Sequence, residues 1–209
     1  MHSTGTAFWH TRALRWVAFL IVGLGLTGCQ SSMMVKANRE PEPSADKALV
    51  VFMRPSSFGG AIQSSVYDTG EAKDTFIGIV STGTKVAYLA EPGQHRFMVV
   101  AENADFLEAT LNAGKTYYVL VSPRMGVWKA RFSLLPIRNN ASAEHNVKSG
   151  DFAKWQSKTH WVGVSPEAEA WYREHESAIR EKKNDYLKKW KVMAPADKAE
   201  LTLHAEDGI

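Results

Sequence analysis

Between residues 48 and 135 the chain breaks into short apolar runs, each too brief for an ordinary helix and each closed by glycine, proline, asparagine or aspartate. The runs cover 48–54, 61–68, 75–80, 84–90, 94–101, 107–111, 115–121 and 127–135. Four to eight residues rich in valine, isoleucine and aromatics, bounded by turn formers, read as β-strands. The best is Lys115-Thr116-Tyr117-Tyr118-Val119-Leu120-Val121, set between Gly114 and Pro123. Pro92 and Gly93 make a turn, since proline presets φ and glycine can take φ > 0. About eight such strands with no helix between them predict a mainly β fold, an antiparallel β-sandwich over residues 48–138. No glycine-rich nucleotide fingerprint follows a strand.

Residues 139–164 read as a connecting loop, and residues 165–193 as an amphipathic helix. Ser165 can cap it, Pro166 suits its first position, and Glu167 and Glu169 complement the dipole. Trp171, Tyr172, His175, Ile179, Lys182, Tyr186 and Trp190 recur at three- and four-residue steps. The plainest role for this stripe is packing on the open face of the sandwich. The alternatives are a face for a protein partner and a stacking platform for glycan. A binding role would fall first to Trp171, Trp190, Lys188 and Lys189, and then to the loop from Arg54 to Gly60 with Phe58. Pro195 stops the helix, and residues 194–209 read as a loose tail.

The N-terminus carries an address. Arg12 and Arg15 precede an apolar run, 17–26, with no acidic residue among the first 28 positions. That is the layout of a secretory signal peptide. The run is short of the roughly 20 apolar residues that a membrane span needs. It ends in Leu26-Thr27-Gly28-Cys29, which holds the only cysteine of the chain and closely resembles the bacterial lipobox. The resemblance implies cleavage between Gly28 and Cys29, lipidation of Cys29, and a mature protein held to a membrane by acyl chains. Several acyl chains hold stably without a helix. Gln30 lacks the aspartate of inner-membrane retention, so the implied placement is the outer membrane, facing the periplasm. Residues 29–47, polar and with Pro41 and Pro43, read as a flexible tether.

The strand motifs carry a second resemblance. Arg54-Pro55 followed by Gly59, then Pro92-Gly93 and His95, then Ala113-Gly114 with Tyr117-Tyr118-Val119, are similar to a family of bacterial envelope lipoprotein domains. Their pattern is R-P-x-x-x-G, P-G-x-H and A-G-x-x-Y-Y-V. The C-terminal Pro166, Trp171, Lys183, Tyr186, Leu187, Lys189 and Trp190 fit the segment with which such lipoproteins end. The family implies a sandwich-like fold and envelope placement, and no activity.

The chemistry inferred from the sequence is sparse. With Cys29 taken by lipid, no thiol remains for a disulfide, a metal or a nucleophile. No G-x-S-x-G or H-E-x-x-H motif occurs. His145, His160 and His175 carry no metal-ligand spacing, so no metal and no cofactor is expected. His95 reads as a turn histidine bonded to backbone, Asp68 as a turn former, and Glu102 and Asp105 as loop acids. The formal charge of +3 becomes +1 when Arg12 and Arg15 leave with the signal, which argues against a nucleic-acid partner. The reading is a non-catalytic, lipid-anchored envelope module that binds a protein or wall polymer. The alternative is a lipid-tethered hydrolase or glycan-binding protein.

Overall fold

The computed structural model describes residues 33–209 apart from 39, 61, 71, 72 and 125–130. The signal segment, Gly28, Cys29 and Trp128 lie outside the described residues. The strands are β1 (Met34–Lys36), β2 (Ala48–Arg54), β3 (Ser64–Thr69), β4 (Asp74–Val80), β5 (Thr84–Ala90), β6 (Gly93–Val100), β7 (Ala104–Leu111), β8 (Thr116–Arg124) and β9 (Arg131–Ile137). Helix α1 (Gly150–Lys158), β10 (His160–Val164), α2 (Pro166–Val192), α3 (Pro195–Glu200) and β11 (Thr202–Leu203) complete the chain.

The protein is mainly β, with two mixed sheets and a C-terminal helix. One sheet has the order β1-β10-β5-β2-β8-β9, the other β11-β7-β6-β3-β4. The antiparallel expectation needs correcting: β2 pairs parallel with β8, β10 with β5 and β11 with β7. Parallel neighbours need long connections. Here β3 to β7 lie in sequence between β2 and β8. Eleven strands are present among the described residues, and the three additional ones are two to five residues long.

Every residue of β2 is buried. Ala48, Val50 and Phe52 join a core that draws Val66, Ile79, Phe97, Val99 and Leu107 from the other sheet. Leu49, Val51 and Met53 face away and pack with Phe152 and Trp155 of α1 and Trp161 of β10. A strand covered on both faces has no polar side to show, which explains its unbroken apolar sequence. Tyr67, Met98, Val100 and Phe106 cover the far face of the five-stranded sheet, where Tyr172, Ile179 and Trp190 of α2 dock. Ser165 caps α2 by accepting from the Ala168 N–H at 3.2 Å.

Gly93 has φ +127°, and a Cβ there would meet nothing within 4 Å. The turn between β5 and β6 therefore needs glycine for its backbone, not for space. It carries the chain from one sheet directly into the other.

Three segments depart from the sequence reading. Residues 139–164 hold a helix and a strand. Ser149 caps α1 through the Phe152 N–H at 3.1 Å, and β10 enters the six-stranded sheet. The segment 29–47, read as a tether, already contains β1, paired antiparallel with β10. The tail is latched: Leu203 is fully buried, and Thr116 and Ile209 exchange backbone hydrogen bonds at 2.9 and 3.0 Å. Gly208 sits so close to Tyr117 that a Cβ would lie 2.6 Å from its ring. Among the described residues no helix is long and apolar enough to cross a membrane.

Candidate functional site

The helix stripe is core. Trp190 is 3% exposed, edge-on to Phe106 at 5.7 Å, with its indole N–H donated to Glu108 at 3.2 Å. Trp171 has His175 stacked at 4.8 Å and lies 6.4 Å from Phe76. Trp190, buried in the cluster under the helix, offers no open face, which corrects its reading as a contact residue; Trp171 is only partly buried. Lys188 and Lys189 are exposed at the helix end, and Lys188 pairs with Asp185 at 2.8 Å.

Arg54 is also buried, where the sequence reading expected a side chain available for contact. It lies at the end of β2, on the face that Val50 and Phe52 share, with its guanidinium 4.5 Å from the centre of the Phe132 ring. Its Nη1 donates to the Ile62 carbonyl at 2.6 Å, and its Nη2 to those of Gly59 at 2.8 Å and Phe58 at 3.3 Å. Burial draws its pKa below the usual arginine range. Arginine does this work because its planar fork presents several donors at fixed angles. The loop after Pro55 thus closes around a buried cation, and Gly59 takes φ +64° within it. Phe58, at the tip, is 50% exposed. The R-P-x-x-x-G pattern was visible in sequence, but the direction of its arginine was not.

Beside this loop lies a cleft of about 260 Å³ between the start of β3, the end of β6 and α2. Ile79, Val100 and Ile179 form its apolar floor, Trp171 and Ala178 a wall, and His175 and Lys182 part of its rim. Lys182 donates to the Ala101 carbonyl at 2.5 Å, which ties the helix to the end of β6. Ile62 both lines the cleft and accepts from Arg54, so one guanidinium fixes the loop and the cleft edge together.

A second, polar groove of about 430 Å³ includes Thr69, Gln94, His95, Arg96, Glu108 and Thr110. His95 is its one histidine, and both ring nitrogens are occupied. Nδ1 meets Asp68 Oδ2 and Nε2 the Glu91 carbonyl, each at 2.8 Å. The Tyr88 hydroxyl donates to the same Asp68 oxygen at 3.0 Å, and burial next to that carboxylate pushes its pKa up to about 12. Both acceptors are satisfied only by an imidazolium, and the Asp68 hydrogen bond accordingly raises the His95 pKa against the opposing effect of burial. A ring with two committed nitrogens cannot accept a proton from a substrate. It is a clasp joining the Glu91-Pro92-Gly93 turn to β3.

A clasp of this kind is a proton switch of known sign. A folded pKa raised above the ordinary value near 6.5 gives stability that is complete below about pH 6.5 and lost as pH rises through the raised value. In urea titrations the stability difference between wild type and His95→Gln is expected to be largest on the acid side and to close as pH rises. A difference that stays constant with pH would show that this ring does not titrate with folding.

Asp105 is likewise no loop acid. It is 1% exposed and accepts from Arg124, Ser133, the Tyr186 hydroxyl at 2.5 Å and the Phe106 N–H at 2.9 Å. Four donors leave its carboxylate no capacity for chemistry, and burial pushes the Tyr186 pKa up, with the hydrogen bond to Asp105 adding to the rise. Among the described residues no group of three or more histidines, cysteines or acids could hold a metal ion. No protein-family model matches the chain, and no curated protein matches it.

Proposed function

We propose that the chain is a lipid-anchored, non-catalytic module of the bacterial envelope, built as a β-sandwich with a docked helical arm, that holds a protein partner. The lipobox-like Leu26-Thr27-Gly28-Cys29 supports the anchor, with the outer membrane, facing the periplasm, as its placement. The binding role rests on one observation: a buried arginine holds three carbonyls of a loop whose tip shows an exposed phenylalanine. Ordering a loop in advance lowers the entropic cost of association, and aromatic side chains dominate binding energy at protein interfaces. The neighbouring cleft is smaller than the roughly 300–1,000 Å³ of sites for drug-sized ligands, and suits one apolar side chain of a partner. The fully engaged His95 and Asp105 favour this reading over the hydrolase alternative.

Photo-crosslinking in living cells tests it. A photoreactive residue at Phe58 is expected to capture one discrete envelope protein, while the same residue at exposed Val192 captures none. Arg54→Met leaves the Phe58, Gly59 and Ile62 carbonyls without their donor. It should lower stability by about 1–3 kcal/mol and remove the crosslink, with circular dichroism of the purified variant checking that the sheets persist. Equal capture at both positions, or none at Phe58, would refute the partner-binding role.

A further inference from the structure

We infer that one end of the six-stranded sheet lies against the membrane, with Val35 and Leu89 set into the boundary between phospholipid headgroups and acyl chains. The inference rests on the lipid anchor proposed above, and on where the fold begins. Met33 is already pinned: its carbonyl accepts the Ser165 hydroxyl at 2.9 Å, and its side chain packs on the core. Only Gln30, Ser31 and Ser32 separate it from Cys29. Whatever path those residues take, four residue steps of at most about 3.6 Å bound the reach at about 14 Å. A compact chain of the size of residues 33–209 has a radius of gyration of about 16 Å. The leash is shorter than the body it holds. The fold cannot stand away from the lipid, and the surface around Met33 has to meet it.

That surface is apolar where the strand register brings it out. Val35 pairs with Gly163, Trp161 with Lys85, and Leu89 with Leu49. Partners in register share a face, and so do alternate residues of one strand. Val35, Gly163, Trp161, Lys85, Ala87 and Leu89 therefore lie on one face of the sheet. Helix α1 covers its Lys85 end, where Gln156 accepts from the lysine at 2.8 Å. The Leu89 end is bare: Val35 is 51% and Leu89 48% exposed. Gly163, in the strand between β1 and β5, adds no side chain to shield Val35. The bare end is also the end at which Met33 enters, because Met34 pairs with Val164 at the far end of β10 from His160. Two exposed aliphatic side chains about 10 Å apart across the strands thus sit where the anchor is shortest. The Phe58 loop follows Arg54, at the opposite end of β2, and faces away from the lipid.

The chain's single cysteine makes the test clean, since acylation consumes it. Full-length Val35→Cys, Leu89→Cys and Val192→Cys proteins would be processed in a bacterial host and labelled with an environment-sensitive fluorophore. Val192 is the control, carried about 40 Å from Ser165 along α2. The labelled proteins would be placed in phosphatidylethanolamine–phosphatidylglycerol vesicles containing phospholipid spin-labelled just below the headgroup. Quenching several-fold stronger at 35 and 89 than at 192 is expected. Equal quenching at all three positions, in protein that floats with the vesicles, would overturn the membrane contact and leave the anchor standing. Probes exposed in vesicles but shielded in native membranes would assign the patch to a protein and overturn the contact in the same way. Protein that keeps a free Cys29 thiol and does not float would overturn the anchor and this inference together.

Discussion

Replacing Asp105 with alanine is expected to destabilise the fold by about 3–5 kcal/mol, the range for removing one member of a buried charged cluster. Four donors from four places meet at this carboxylate: Arg124 at the end of β8, Ser133 in β9, Tyr186 in α2 and the N–H of Phe106 in β7. Removal leaves the Ser133 hydroxyl without its acceptor inside the fold and unties the helix from the sheet beneath it. Arg124 has a side chain 56% exposed and can turn to water, so Arg124→Ala is expected to cost much less than Asp105→Ala. Urea unfolding of the two variants beside wild type makes the comparison. A double-mutant cycle with Tyr186→Phe isolates the bond to the helix. Near-equal losses in Asp105→Ala and Arg124→Ala would show that the ion pair, and not the whole cluster, holds this region.

Trp190→Ala is expected to cost about 3–5 kcal/mol, as for other buried tryptophans cut to alanine. Its indole fills the end of the cluster under α2, edge-on to Phe106, with its N–H held by Glu108 and Lys198 over the ring at 5.6 Å. Lys188→Ala and Lys189→Ala, two and one residues away but exposed, are expected to change stability by no more than about 0.5 kcal/mol. Thermal and urea unfolding of the three variants separates the two faces of the last helical turns. A Trp190→Ala protein as stable as wild type would mean that the helix does not dock through this residue.

Much of the scaffold was legible because it follows from local rules. The eight apolar runs coincide with β2 to β9 to within a few residues at their ends, and the cap at Ser165 and proline at Pro166 start the long helix where expected. Pairing was not legible, since nothing in β2 or β8 alone records that they lie side by side and parallel. The short edge strands β1 and β11 were missed because two or three residues cannot show a period. Helix α1 offered Ser149 as a cap, Asp151 in its first turn and Phe152 and Trp155 three residues apart, signals too few to stand out in a polar stretch.

The candidate site was legible in type and not in direction. Arg54 and Phe58 were identified from the turn-rich loop, but a charged residue was expected outside and an aromatic had no assigned orientation. The structure reverses the first: the carbonyls of a tight loop provide enough acceptors to hold a guanidinium inside. Asp105 was hidden for the same reason, because its side-chain partners come from 19 to 81 residues away. The aromatic stripe of α2 looks identical in sequence whether it faces a sheet or a partner. Only the apolar outer face of the five-stranded sheet, with Tyr67, Met98 and Phe106, decides for packing.

The lipid on Cys29 is the central claim, because the short leash and the placement of the binding loop both depend on it. Intact-mass analysis of the protein purified from bacterial membranes tests it directly. The account predicts a chain beginning at Cys29, heavier than its sequence by a diacylglyceryl group and an amide-linked acyl chain, and absent from a Cys29→Ala strain. A membrane-extracted chain that retains residues 1–28, or that begins at Cys29 with no added mass, would contradict it.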